Sequence, residues 1–365
     1  MVTVGICDDH GASCAITENG KVLYASGEER FTRVKNDAGF PLLALNSGLK
    51  KLGLTYNDIE HLVIATIERE DYLAFEYRRE SLLDIKDYQK LMSDYWKPKL
   101  SGDKYDKSFV HKFLKSKKNF KNGYYGIPLD SNKRDLKNKE YLEIIKNTLS
   151  KKLSLRADQI SFVDHHKSHA YYALSTSSID RKEKYAVITV DSYGDGKNQT
   201  VWIGDENSLK IVAETNQCLL ARIYRFTTLY LGMMPFEHEY KVMGLSAYSN
   251  NKYSKHITEK LKKIVEVKGL KITSSNPPNN LYEFLSEIFR GERFDNIARS
   301  IQDLTEDILI QLFKNVSETY GIKNFYYTGG VAMNVKANQK IFELKEVNKL
   351  IIPGAPDDQS IAIGA

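Results

Sequence analysis

Cysteine is scarce: Cys7, Cys14 and Cys218 are the full set in 365 residues. An odd, scattered set without C-x-x-C makes no disulfide framework and fits a reducing compartment. Long apolar runs are missing as well. None approaches a membrane span, and the N-terminus has no basic stretch followed by an apolar one. These absences predict a cytoplasmic protein without a membrane partner. Short solenoid periods are absent. No Gly-Lys-Ser/Thr closes a Walker A loop, and the H-x-x-x-H at His165 to His169 lacks the Glu of H-E-x-x-H, which argues against a zinc hydrolase.

The chain has enough apolar residues, 42%, for a sizeable core, and a modest net charge of +6. Lys107, Lys112, Lys115, Lys117, Lys118 and Lys121 crowd one stretch with no acid among them. Such runs are usually solvated faces, so a nucleic-acid partner is not favoured.

Strand grammar appears twice. Val2 to Cys7 leads through a small-residue turn to Ala15 to Thr17, and Asn19-Gly20 turns the chain into Lys21 to Ala25. Far downstream, Tyr185 to Val190 ends in Asp191. A Gly turn follows, and Thr200 to Ile203 and Leu209 to Val212 complete a second unit. Helical periodicity follows each copy, at Phe40 to Leu52 and along Ile297, Ile301, Leu304, Ile308, Leu312 and Val316, with Gly321 as a stop. Strands alternating with helices predict an α/β fold with mixed sheets. The expected architecture is a duplicated, two-lobed, actin-like and sugar-kinase-like fold of the ribonuclease H-like kind. The first lobe spans 1–183 with a helical insertion at about 71–152, and the second spans 184–365. The terminal Ile361 to Ala365 reads as the start of a helix rather than a natural end, so a further domain is expected.

Several stretches carry chemistry. Asp164-His165-His166-Lys167-Ser168-His169-Ala170 follows a short strand and enters a helix. His165 and His169, at i and i+4, share one helix face and can chelate one divalent ion. His166 points roughly 100° away by the helical period. Asp191 and Asp357-Asp358 stand at strand ends, where carboxylates project into a cleft. Two imidazoles with one or two carboxylates suit Fe(II), Zn or Mn and leave positions open for substrate. Thr328-Gly329-Gly330-Val331-Ala332-Met333-Asn334 brings two glycines onto a helix start, which suits an anion such as a nucleotide phosphate. Glu28 to Lys35 and Glu239 to Tyr248 add charged turns with less individual signal.

These segments together resemble the NodU/CmcH and tobramycin O-carbamoyltransferase family. Asp9-His10-Gly11-Ala12-Ser13 is similar to its G-H-D-A-S turn, Glu28 to Lys35 to E-E-R-F-T-R-x-K, and His165 to Ala170 to H-H-x-x-H-A. Lys241 to Tyr248 is similar to K-V-M-G-L-A-A-Y, Thr328 to Asn334 to A-G-G-V-A-x-N, and Asp357 to Ala362 to D-D-G-x-A-L. The resemblance implies an actin-like transfer domain, related to the catalytic subunit of tRNA threonylcarbamoylation. Carbamoyl phosphate and ATP would give carbamoyladenylate on a C-terminal YrdC-like domain, which is expected to lie outside these 365 residues. The carbamoyl group would then pass to a small-molecule or saccharide hydroxyl. By position, His165, His169, Asp191 and Asp358 would hold the metal, with Fe(II) ahead of Zn or Mn. His10 and Lys35 would be catalytic. Gly194, Asp195, Gly329, Gly330 and Asn334 would cradle the adenylate. A homodimer is compatible with this reading. Gly11 stands where the motif has Asp, with Asp9 one step displaced. Two rivals stay open: a kinase or ATPase of the same superfamily, and a non-catalytic binding module.

Overall fold

The computed structural model describes residues 1–68, 83–106, 108–109, 112–113, 116, 138–176 and 182–365. Parts of the expected insertion, and Lys107, Lys115, Lys117, Lys118 and Lys121, lie outside the described residues.

Two five-stranded sheets share one topology. The first contains β1 (Val2–Cys7), β2 (Ser13–Glu18), β3 (Lys21–Gly27), β4 (His61–Ile64) and β5 (Ile160–Phe162), in the order β3-β2-β1-β4-β5. The second contains β6 (Tyr185–Gly194), β7 (Lys197–Gly204), β8 (Leu209–Thr215), then, after the small β9 (Glu266–Lys268) and β10 (Lys271–Thr273) ribbon, β11 (Asn324–Thr328) and β12 (Lys349–Ile351). Its order is β12-β11-β6-β7-β8. In each sheet the first three strands run antiparallel, and the remaining two extend the first strand in parallel. The identical strand order, read from hydrogen bonds, carries the duplicated actin-like assignment.

Local chemistry accounts for the hairpins. Asn19 and Gly20 both take positive φ, 50° and 80°, and Asp195 and Gly196 do the same at 49° and 75°. Two residues with φ above zero form the turn whose twist matches antiparallel strands. The 27-residue helix Phe294–Tyr320 buries the apolar stripe from Ile297 to Val316 and ends on left-handed Gly321. Asp191 was expected to end a strand. Instead β6 runs on to Gly194, and an irregularity in its pairing with β7 between Val190 and Gly194 leaves Asp191 there.

Two packing facts refine the expected outline. The Asn138–Leu153 helix, read as part of an insertion, puts Tyr141, Ile145, Leu149 and Leu153 into the first sheet's core with Val4, Leu45 and Leu62. And the lobes exchange helices. The His165–Ser175 helix, which follows β5, packs Ala170, Ala173 and Leu174 against Tyr185, Val187 and Tyr326 of the second sheet. The chain's last turn, Ile361–Gly364, packs against Cys7 and Ala15 of the first sheet. The crossing is tight. A Cβ on Gly364 would lie 1.9 Å from the Ser168 carbonyl oxygen, and one on Gly5 would lie 1.9 Å from that of Ala362. Only glycine permits backbones this close. The crossing brings the helix with the histidines next to the turn with Asp358.

Among the described residues, no helix is long and apolar enough to cross a membrane.

Candidate metal centre and cavity

Four side chains from three distant stretches converge where the two lobes meet. His165 Nε2 lies 3.5 Å from Asp191 Oδ2 and 3.5 Å from Asp358 Oδ1; His169 Nε2 lies 3.1 Å and 3.3 Å from the same atoms. One donor atom from each residue falls within 4.8 Å of all the others. The i, i+4 spacing supplies the two imidazoles, and the helix exchange supplies the carboxylates. His166 turns away as the helical period requires. It is fully buried, with Nδ1 2.6 Å from the Thr189 hydroxyl.

The electrostatics are those of a site made for positive charge. Burial works to raise Asp191, but hydrogen bonds from His165 and His169 outweigh it and hold it well below the usual carboxylate range. Burial, with the neighbouring Asp191 charge, pushes Asp358 well above that range. Two acids this close cannot both ionise in a dry site unless a cation joins them. The residues fit a divalent ion. Two imidazoles and two carboxylates form an N2O2 donor set of two neutral and two negative ligands. The Thr328 hydroxyl donates to the Pro356 carbonyl at 3.2 Å and lies 3.5 Å from His169 Nδ1. With its own proton committed, Thr328 can accept from Nδ1–H, and in that tautomer Nε2 would turn a lone pair to a bound cation in place of the proton it shares with Asp191.

Asp191 and Asp358 also line a cavity of about 520 Å³. His10, Lys35, Gly330 and Asn334 share its wall, together with Arg225, Phe236 and Glu239. Burial, reinforced by Arg225 and Lys35 against an opposing pull from Asp191, lowers the His10 pKa to about 4. Lys35 Nζ is exposed and 3.4 Å from Glu29. Gly330 brings the start of the Gly330–Met333 turn beside Asp191, since a Cβ there would lie 3.2 Å from Asp191 Oδ1. The expected direct passage from glycines to helix is interrupted by this 3-10 turn, and the helix Val335–Phe342 begins only after it. Asn334 caps that helix through Ala337 N–H and exchanges two amide hydrogen bonds with Gln302.

Three of the expected cradle residues lie behind the wall. Gly329, with φ 94°, packs on Val190, where a Cβ would come 2.4 Å from the carbonyl oxygen. Gly194 backs the His165 ring, 2.3 Å from a built Cβ. Asp195 corrects the expectation most clearly. Its carboxylate accepts from Thr66 Oγ1, Ile67 N–H, Glu68 N–H and His165 N–H, at 2.7, 3.0, 2.8 and 2.6 Å. It is spent tying β4 to the start of the histidine helix and has no face toward the cavity. Glu28 is spent likewise on Leu43 and Ala44 N–H, at the start of the Leu42–Leu52 helix. Gly11, at φ 72°, lies against Gln359, whose Cγ would be 2.8 Å from a built Cβ. Asp9 accepts from His10 N–H at 2.7 Å.

Arg225, Phe236 and Tyr193 are wall residues that no spacing pattern marks. Arg225 sits in an amphipathic helix, Leu220–Tyr230, and its exposed-face position reads as ordinary surface.

A family model described as carbamoyltransferase N-terminus matches residues 3–365. The chain belongs to that family. An uncharacterised protein of Synechocystis sp. is 28% identical to it over 382 residues, covering 98% of this chain and 54% of that protein. The nodulation protein NolNO of Sinorhizobium fredii is 24% identical over 363 residues, covering 98% of this chain and 45% of NolNO. The chain spans about half the length of the curated relatives it matches. Among solved structures, the activator of 2-hydroxyisocaproyl-CoA dehydratase from Clostridium difficile, with bound ADPNP, covers 100% of this chain and 92% of its own at 14% identity and a TM-score of 0.47. Full-length HypF, in a phosphate- and nucleotide-bound form, covers 99% of this chain and 54% of its own at 11% identity and a TM-score of 0.45. At these scores the overlays add nothing to the strand order.

Proposed function

We propose that this member of the carbamoyltransferase N-terminus family moves a carbamoyl group from carbamoyladenylate to an acceptor hydroxyl. The carrying observation is the four-donor cluster of His165, His169, Asp191 and Asp358 at the edge of a cavity that also presents His10 and Lys35. These four residues would hold a divalent metal, Fe(II) first, with Zn or Mn as alternatives. When bound, the ion supplies Lewis-acid polarisation of an oxygen.

In the transfer, the bond between the carbamoyl carbon and the adenylate phosphate oxygen breaks and AMP leaves. The acceptor oxygen bonds to the same carbon, and its proton passes to His10. A pKa of about 4 makes His10 a weak base in the cavity as it stands. An anionic phosphate beside Arg225 and Lys35 offsets two of the influences that depress it, and so shifts His10 toward working pH. Lys35 and the Gly330 N–H face the charge that develops on the substrate. Carbamoyladenylate would come from carbamoyl phosphate and ATP on a YrdC-like partner domain. The acceptor would be a small molecule or saccharide.

The test supplies metal-loaded protein with a panel of hydroxyl acceptors and either carbamoyladenylate or, in a parallel reaction, ATP, and reads product mass. A carbamate ester supports the reading. A phosphorylated acceptor sinks it in favour of a kinase, and unreacted adenylate points to a binding module.

A further inference from the structure

Phe236 holds a backbone conformation that its side chain disfavours. Its φ is +66°, in the left-handed region that bulky residues rarely occupy and that costs free energy to maintain. Four groups hold it there. Its N–H donates to Glu239 Oε1 at 2.8 Å, and its carbonyl accepts from Asn36 Nδ2 at 3.0 Å. Its ring centroid is 4.8 Å from that of His10, tilted by 48°, and the Arg225 guanidinium lies 4.6 Å from it. His10 and Asn36 come from the first lobe, and Arg225 and Glu239 from the second. The ring therefore spans the cleft. A residue needed only for packing against the cluster of Leu83, Tyr88, Leu91 and Leu229 would require no left-handed backbone. An aliphatic side chain would fill that space without attracting a guanidinium.

We propose that Phe236 is a positioning residue, whose left-handed backbone sets the ring across the cleft so that it fixes the His10 imidazole and the Arg225 guanidinium in one cavity. This rests on the reading above, in which His10 takes the acceptor's proton. The strain is retained because two groups from different lobes must keep one geometry, and small misplacements of reacting groups are expensive.

The experiment has two arms on the full chain, with Phe236→Leu, Phe236→Tyr and Phe236→Gly. Glycine adopts this φ freely, so Phe236→Gly removes the ring without adding backbone strain and guards against a misfolded leucine variant. The first arm follows AMP release from carbamoyladenylate with water as acceptor. Water's oxygen bonds to the carbamoyl carbon as the phosphate oxygen leaves, giving AMP, carbamate and a proton. Leucine and glycine should slow saturated AMP release by at least about tenfold, with KM moving less than about threefold, and tyrosine should stay within about threefold of wild type. The second arm follows the His10 imidazole resonances, assigned with His10→Gln. They should move in Phe236→Leu and Phe236→Gly and stay in place in Phe236→Tyr. If wild type releases no AMP above background, the transfer reading falls, and the resonances alone decide Phe236. Wild-type resonances in Phe236→Leu overturn the proposal, as does a tyrosine variant as impaired as leucine.

Discussion

Replacing Asp195 by alanine should destabilise this protein by about 3–6 kcal/mol, because four donors lose one acceptor at once. The carboxylate takes hydrogen bonds from Thr66 Oγ1, Ile67 N–H, Glu68 N–H and His165 N–H. A bond to a charged group contributes about 1.5–3 kcal/mol, and a stranded donor costs about as much when water cannot reach it. The simple sum is too large, since Ile67 and Glu68 keep partial access to solvent and recover part of the loss. Asp195→Asn retains one carbonyl oxygen and should cost about 1–3 kcal/mol. Denaturant unfolding of the three proteins reads the difference. Freed from its anchor, the first turn of the His165–Ser175 helix should also shift, so metal affinity should fall about 10–100-fold, as it does when outer-shell partners are removed. AMP titration supplies the opposing test. A variant that loses AMP affinity while keeping wild-type stability would show a carboxylate facing ligand, and the structural tie would be refuted.

Other consequences are as direct. His165→Ala or His169→Ala should remove bound metal from the purified protein; elemental analysis that finds wild-type stoichiometry sinks the centre. Gly364→Ala should cost at least about 2 kcal/mol, because its Cβ would sit 1.9 Å from the Ser168 carbonyl and the two exchanged helices would have to part. A wild-type melting temperature would mean that the crossing is looser than described. His10 makes the fold acid-sensitive in a defined window. Its folded pKa is about 4 against the ordinary histidine value of 6.5. Above pH 6.5 both states are neutral there. Between 6.5 and 4 the unfolded chain binds a proton that the native site refuses, so stability falls with pH, by at most about 3 kcal/mol, and falls no further below 4. His10→Asn should flatten that slope; equal slopes for the two proteins would remove the stated cause.

Much of the architecture could be read locally. Asn19-Gly20 announced its hairpin because few residues tolerate two successive positive φ values. The stripe from Ile297 to Val316 announced a helix because 3.6-residue periodicity leaves a visible pattern. The core packing of Asn138–Leu153 was not legible, since a Lys-rich amphipathic helix looks like surface until Tyr141, Ile145 and Leu149 are seen in the core. At the site, the two imidazoles were legible because i, i+4 is a short-range constraint. Phe236 and Arg225 were not, because neither has a spacing that distinguishes a wall residue from a packed or exposed one.

By itself, then, the amino-acid order settled the periodicities, the paired turns and the one-sided presentation of His165 and His169. Each depends on residues a few positions apart, where backbone geometry leaves little choice. Folding in three dimensions decided the rest. The lobes exchange helices, which brings Asp358 to a histidine 189 positions away. Asp195 looks inward to backbone donors rather than outward to a ligand. Both outcomes depend on which surfaces must be buried together and which donors would otherwise go unpaired, and no local spacing encodes that balance.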